Sequence, residues 1–192
     1  MALSDLNVGI AGLGLIGGSI AASLGVSGVA NGVFAWDHDP QVLKRALDMG
    51  FAFRPCETPE EFASSIDVLV LAVPLRHMRE VSLKLKPLFE RLPLAVMDVG
   101  STKKEIGEIL SDIWGRSYVG LHPMAGKEYS GIENASPYIF RNADCAIVPH
   151  ALTATVAMEL ASEIVSSIGS NVVYLEPDEH DRILACVSHL PT

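Results

Sequence analysis

Short apolar runs at positions 6–11, 33–36, 68–73, 94–98, 118–121, 145–148 and 172–175 alternate along this chain with stretches in which apolar residues recur every three to four positions. Runs of four to six residues bounded by Gly, Pro, Asn or Asp predict strands, and the longer periodic stretches predict helices. Strand and helix in strict alternation predict an α/β domain, a mainly parallel sheet covered by helices on both faces. Helix starts are marked. Asp39-Pro40 supplies a cap with proline in the first turn, and Gly50 closes that helix after Met49. Thr58-Pro59-Glu60-Glu61 reads as a capping box in which Glu61 reaches back to the Thr58 amide, and 102–105 repeats the pattern. Between Leu121 and Pro149 the alternation breaks, leaving a long segment with His122, Pro123, Gly126, Gly131 and Pro137. Long connections of this kind inside compact domains are often functional.

The first strand runs into Gly12-x-Gly14-x-x-Gly17, and the second ends in Asp37, twenty residues past Gly17. A glycine triplet alone carries little weight. Placed between an apolar strand and an apolar helix, with an acid closing the next strand, it is the dinucleotide fingerprint of a doubly wound, Rossmann-type sheet. Gly12 permits the turn, Gly14 admits a pyrophosphate, and Gly17 lets helix and strand approach. Asp37 can accept hydrogen bonds from a ribose 2′-hydroxyl and would repel a 2′-phosphate, so the expected cofactor is NAD rather than NADP. In such sheets ligands bind beyond the carboxyl ends of the strands. The cofactor contacts are therefore expected from Gly12, Leu13, Gly14, Leu15, Ile16, Gly17, Asp37, His38, Val73, Pro74 and Ser101. His38 reads either as an adenine-stacking ring or as an exposed turn histidine.

Composition narrows the class. The chain has 192 residues, is 49% hydrophobic and carries a net charge of -9. It can bury a core, and an acidic surface without a basic face argues against a nucleic-acid partner. The apolar stretch 8–30 has no basic residue ahead of it, the first being Lys44, so neither a signal peptide nor a membrane segment is expected. Cys56, Cys145 and Cys186 are odd in number and widely spaced, which suggests small buried hydrophobes in a reduced cytoplasmic enzyme rather than a disulfide framework. No His-x-x-x-His or cysteine-pair spacing occurs, so no metal is expected.

Three further motifs carry a resemblance. They are Asp98-Val99-Gly100-Ser101-Thr102-Lys103, then His122-Pro123-Met124-Ala125-Gly126-Lys127-Glu128-Tyr129-Ser130-Gly131, then Asp178-Glu179-His180-Asp181-Arg182 leading to Ser188-His189-Leu190-Pro191. With the glycine loop they span the chain, which resembles the prephenate/arogenate dehydrogenase family of tyrosine biosynthesis. The resemblance implies NAD-dependent oxidative decarboxylation of prephenate to 4-hydroxyphenylpyruvate, with arogenate dehydrogenase, identical in mechanism, as the alternative. A β-hydroxyacid dehydrogenase shares the fold but relies on a later lysine, and the His-Pro-Met-Ala-Gly run speaks against it.

From the residues alone His122 is a strand-end histidine, satisfied by backbone or acting as a base; the resemblance implies the base. It implies that Ser101 orients that histidine near the nicotinamide, although an ordinary N-cap explains the same serine. Lys103 reads as structural charge balance. Glu128 and His189 resemble residues lining the substrate pocket, and His180 reads as part of a capped, solvent-facing turn. The family continues into a helical domain that dimerises and donates an arginine to a substrate carboxylate. Residues 1–176 are accordingly expected to form the NAD-binding domain and 177–192 the first helix of that second domain. Thr192 stands where many members have a second histidine. With the substrate site completed from elsewhere, a non-catalytic nucleotide-binding module is the alternative from a different class.

Overall fold

A computed structural model describes residues 2–126 and 129–188, with the side chains of 187 and 188 outside the description. Among the described residues, eight strands form one sheet: β1 (Asn7–Ala11), β2 (Gly32–Trp36), β3 (Arg54–Pro55), β4 (Val68–Leu71), β5 (Ala95–Asp98), β6 (Tyr118–Pro123), β7 (Asp144–Val148) and β8 (Asn171–Tyr174). Seven helices connect or follow them: α1 (Leu15–Ser27), α2 (Pro40–Asp48), α3 (Pro59–Ser65), α4 (Leu75–Leu85), α5 (Lys104–Trp114), α6 (Thr155–Ser167) and α7 (Pro177–Ser188). The spatial order is β3-β2-β1-β4-β5-β6-β7-β8. Every pairing is parallel except β6 with β7. The order reverses between β1 and β4, where helices leave toward opposite faces and open a crevice at the strand ends. Ala11 pairs with both Trp36 and Leu71, and Leu71 pairs with Asp98, so those carboxyl ends finish level.

Strand alternation sorts the core into two layers. Val8, Ile10, Val68, Val70, Ala95, Met97, Val119 and Leu121 face α1 and α6. Ala11, Trp36, Leu69, Leu71, Val96 and Tyr118 face the other way, toward Phe62 of α3, Met78 of α4 and Ile106, Leu110 and Trp114 of α5. A strand covered on both faces has no polar side, which is why these segments read as continuous apolar runs.

The break after Leu121 has a simple cause. β7 returns antiparallel to β6, so no crossover helix is needed, and the described residues of the connection, 124–126 and 129–143, instead loop past α1 with a 3-10 turn at Ile132–Asn134.

Local signals held where the chain itself supplied the partner. Asp39 accepts from the Gln41 amide, and Gly50 closes α2 at φ +82°. Thr58 accepts from the Glu61 amide at 3.1 Å, but Glu61 reaches the Glu57 amide at 2.9 Å rather than that of Thr58. The capping box expected at 102–105 does not form: α5 begins at Lys104, and its cap comes from α7. β3, two residues long, has no sequence signal. Cys56 and Cys145 are buried, their thiols pushed up to about 11 and about 12 chiefly by burial, whereas Cys186 is exposed and not the buried hydrophobe expected. Among the described residues no helix is long and apolar enough to cross a membrane.

Candidate active site

β1 ends at Ala11, and the chain must turn at once to start α1. Gly12 takes φ +97°, with its amide donating to the Trp36 carbonyl at 2.9 Å. A Cβ on Gly17 would run into the Gly12 carbonyl, so the third glycine is demanded by the close approach of helix to turn. Gly14 has open space around it and stands at the N-cap of α1 without a side-chain cap. Among the described residues the first amides of α1 have no partner, which leaves a positive helix end facing the crevice. Across it, the Asp37 carboxylate accepts from the Leu13 amide at 2.8 Å and from the Asp39 amide at 3.0 Å. Asp37 thus fixes the glycine loop as well as closing β2. Its side chain is 8% exposed, whereas His38, with Nδ1 2.9 Å from Asp37, is 90% exposed. Free helix amides, room at Gly14 and a carboxylate at the end of β2 fit a dinucleotide.

Gly12, Leu13, Gly14, Leu15, Ile16, Asp37, His38, Val73, Pro74, Ser101 and His122 line one crevice. Leu13 contributes backbone only, because its side chain is in the core. Gly17 lies behind the loop as packing. Glu128 and His189 lie outside the described residues. Arg45, on α2, pairs with Glu133 at 2.6 Å on the crevice rim.

His122 sits near the end of β6, partly buried. Its Nδ1 lies 3.0 Å from Nε2 of His180, and the His180 Nδ1 lies 2.7 Å from Oδ1 of Asp181. His180 is fully buried, so the solvent-facing turn expected for it is wrong. The Asp181 carboxylate also accepts from the amides of Lys103 at 2.8 Å and Lys104 at 3.0 Å, capping α5 from outside. Burial pulls Asp181 upward, but the His180 hydrogen bond and the Lys104 and Lys103 amides outweigh it and leave the carboxyl below its ordinary value. Nε2 of His122 has no hydrogen-bond partner among the described residues. Burial first, then the charge of Lys103 and the neighbouring His180, push the His122 imidazole down to about 4. It is neutral across the physiological range.

Beneath it lies a buried ion pair. Lys103 Nζ is 2.5 Å from Asp98, and both side chains are fully buried. Asp98 also accepts from the Gly100 amide at 2.8 Å and the Tyr118 hydroxyl at 2.7 Å. Burial lowers the Lys103 ammonium against the upward pull of Asp98, and burial together with Asp98 raises Tyr118 well above its usual range. The charge-balancing role read for Lys103 is what the geometry shows. Ser101 is exposed, caps no helix and, among the described residues, makes no hydrogen bond to His122; His180 occupies that place. Sequence reasoning missed His180 and Asp181 as site residues. A signal existed: Pro177, His180 and Leu184 follow helical spacing on the inward side of α7.

Among known proteins, residues 20–174 match the family model described as the nucleotide-binding domain of prephenate dehydrogenase. A prephenate dehydrogenase of Bacillus subtilis (strain 168) is 28% identical over 184 residues, covering 95% of this chain and 50% of that protein. The chain thus spans about half the length of that curated relative. Among solved structures, the prephenate dehydrogenase of A. aeolicus in complex with hydroxyphenyl propionate and NAD+ superposes with a TM-score of 0.89 at 31% identity, over 98% of this chain and 66% of that one. The arogenate dehydrogenase of Synechocystis gives 0.88 at 25% identity, over 95% and 64%.

Proposed function

The chain belongs to the family of prephenate dehydrogenase nucleotide-binding domains, and from that premise we propose that it is the cofactor half of an NAD-dependent prephenate dehydrogenase. The observation that supports this reading most directly is the shared crevice: His122, its Nε2 unpartnered, lines the same cleft as the glycine loop and Asp37. In this reading residues 1–176 are the dinucleotide-binding unit. Residues 177–192 begin a helical domain through which two copies pair and which completes the substrate site. Arogenate is the alternative substrate, on the likeness to the Synechocystis arogenate dehydrogenase.

The glycine loop and the α1 N-terminus would hold the pyrophosphate, and Asp37 the adenosine ribose. Bound there, the nicotinamide supplies the acceptor for the hydride that leaves the ring carbon bearing the hydroxyl. His122 presents a neutral Nε2 to that hydroxyl and accepts its proton as the carbon–hydrogen bond breaks. Loss of carbon dioxide then leaves electrons on the same oxygen, which takes the proton back as the ring becomes aromatic. No net proton is consumed, so a histidine held at about 4 suits the task. The hydroxyl becomes strongly acidic only as the hydride departs, so a weak base suffices, and a weak base gives the proton back readily. Ser101, exposed in the crevice, is placed to bond a ligand rather than His122.

The test is NADH formation from prephenate and from arogenate, with NAD+ binding followed separately by calorimetry. His122→Asn should lower kcat by roughly 10²- to 10⁴-fold while NAD+ affinity stays within about twofold. Undiminished kcat in that variant, or no NAD+ binding by the chain, would refute the reading.

A further inference from the structure

We propose that His180 and Asp181 are positioning residues that fix the tautomer of His122, so that helix α7, beyond the matched nucleotide-binding segment, sets the polarity of the base. The proposal rests on the reading of His122 as the base, and it follows from hydrogen-bond accounting along one line of atoms. Asp181, with its carboxyl held below the ordinary value, can only accept. Its Oδ1 is 2.7 Å from His180 Nδ1, so that nitrogen carries the hydrogen. In a neutral His180 the opposite nitrogen, Nε2, is then a bare acceptor. It lies 3.0 Å from Nδ1 of His122, which must therefore donate. The lone pair of His122 is left on Nε2, the nitrogen without a partner among the described residues. Each step removes one of two choices, and the last one aims the acceptor rather than a donor at the crevice.

The carboxylate at the far end of this line is itself immobilised. It holds the first amides of α5 through both oxygens, at 2.8 and 3.0 Å, and so cannot turn away without uncapping that helix. His180 is enclosed, its ring edge-on to that of His122 with centroids 5.1 Å apart. A neutral imidazole can carry its proton on either nitrogen, and an Nδ1 donor facing a fixed acceptor removes that freedom. Replacing the carboxylate by an amide would convert one acceptor oxygen into a donor. His180 could then be protonated at Nε2, forcing the proton of His122 onto its own Nε2 and closing the site to a hydroxyl.

Nitrogen-15 NMR of the histidine rings, on the 192-residue chain and its variants, reads the tautomer without turnover. The chain should show His122 protonated at Nδ1 and bare at Nε2. His180→Leu and Asp181→Asn should shift that proton toward Nε2, while His180→Gln, whose amide oxygen can still accept from His122, should restore the original form. In a turnover assay of the full protein, His180→Leu should lower kcat about 10- to 100-fold, the size of loss when the outer partner of a functional histidine is removed, with KM for NAD+ within about twofold and recovery in His180→Gln. Should His180→Leu fail to fold, Asp181→Asn carries the same two readouts. A doubly protonated His180, an Nε2-protonated His122 in the unaltered chain, or a tautomer indifferent to both variants overturns the proposal. A correct tautomer with undiminished turnover in His122→Asn would instead overturn the reading of the base and leave the positioning intact.

Discussion

Replacing Lys103 by Met removes a charge and keeps most of the volume, which makes it a sharp probe of the polar group beneath His122. The aliphatic stem of Lys103 packs against Gly120, and a methionine can follow the same path. What it cannot do is neutralise Asp98, 2.5 Å from the ammonium and fully buried. Breaking one side of a buried pair costs about 3–5 kcal/mol, because the remaining charge is stranded. Here the Gly100 amide at 2.8 Å and the Tyr118 hydroxyl at 2.7 Å still stabilise the carboxylate, so the lower end, about 3 kcal/mol, applies. For a domain of this length that is a fall in melting midpoint of about 6–12 °C.

Lys103→Met with Asp98→Asn should recover most of the loss, since the amide oxygen can still accept from the Gly100 amide while its NH2 donates to the Tyr118 hydroxyl. Thermal and urea melts of the four proteins in the cycle measure the coupling. A loss under about 1 kcal/mol in Lys103→Met, or a double variant no more stable than the single one, would show that the pair is not the energetic centre of this cluster. Without the ammonium, His122 should also titrate above about 4, since Lys103 is one of the groups pushing it down.

Asp37→Asn should narrow the preference for NAD+ over NADP+ in calorimetry; Asp37→Ala should weaken both, because the Leu13 and Asp39 amides lose their acceptor, and an unchanged NAD+/NADP+ ratio in Asp37→Asn would sink the ribose assignment. His122 has a folded value of about 4 against an unperturbed value of about 6.5, so the unfolded chain binds the extra proton between them. Its stability contribution is complete above pH ~6.5 and is lost as pH falls toward ~4, by about 3 kcal/mol in all, a slope that should flatten in His122→Gln; parallel melts of the two proteins across that window would count against the depressed value.

Those features of the chain that depend on neighbours in sequence were legible in it. Among the described residues, six of the eight strands could be placed because a strand covered on both faces must be apolar; the edge strand Asn171–Tyr174 is only partly buried but keeps the short apolar run Val172–Val173, and Arg54–Pro55 is too short to leave a pattern. The glycine loop was legible because Gly12 and Gly17 answer local demands, a positive φ and a helix pressed against its own turn. Asp37 was placed correctly for the crevice, yet its hold on the Leu13 amide depends on where β2 lies against β1, which spacing does not encode.

The group around His122 was read only in part, for the same physical reason carried further. Asp98 and Tyr118 are twenty residues apart and meet because β5 and β6 are adjacent; Lys103 and Asp181 are 78 apart and meet because α7 returns over the start of α5. A helix cap is usually sought within a few residues of the helix, so Ser101 and Thr102 looked sufficient while the cap came from Asp181. Once that carboxylate is committed to α5, His180 is committed with it, and a histidine that reads as solvent-facing in a polar stretch becomes a fully buried neighbour of His122. The polar character of 178–182 is thus not a mark of exposure. Its acids are divided between solvent and interior by helical spacing, with Asp178 outward on Lys104 and Asp181 inward on His180 and the α5 amides.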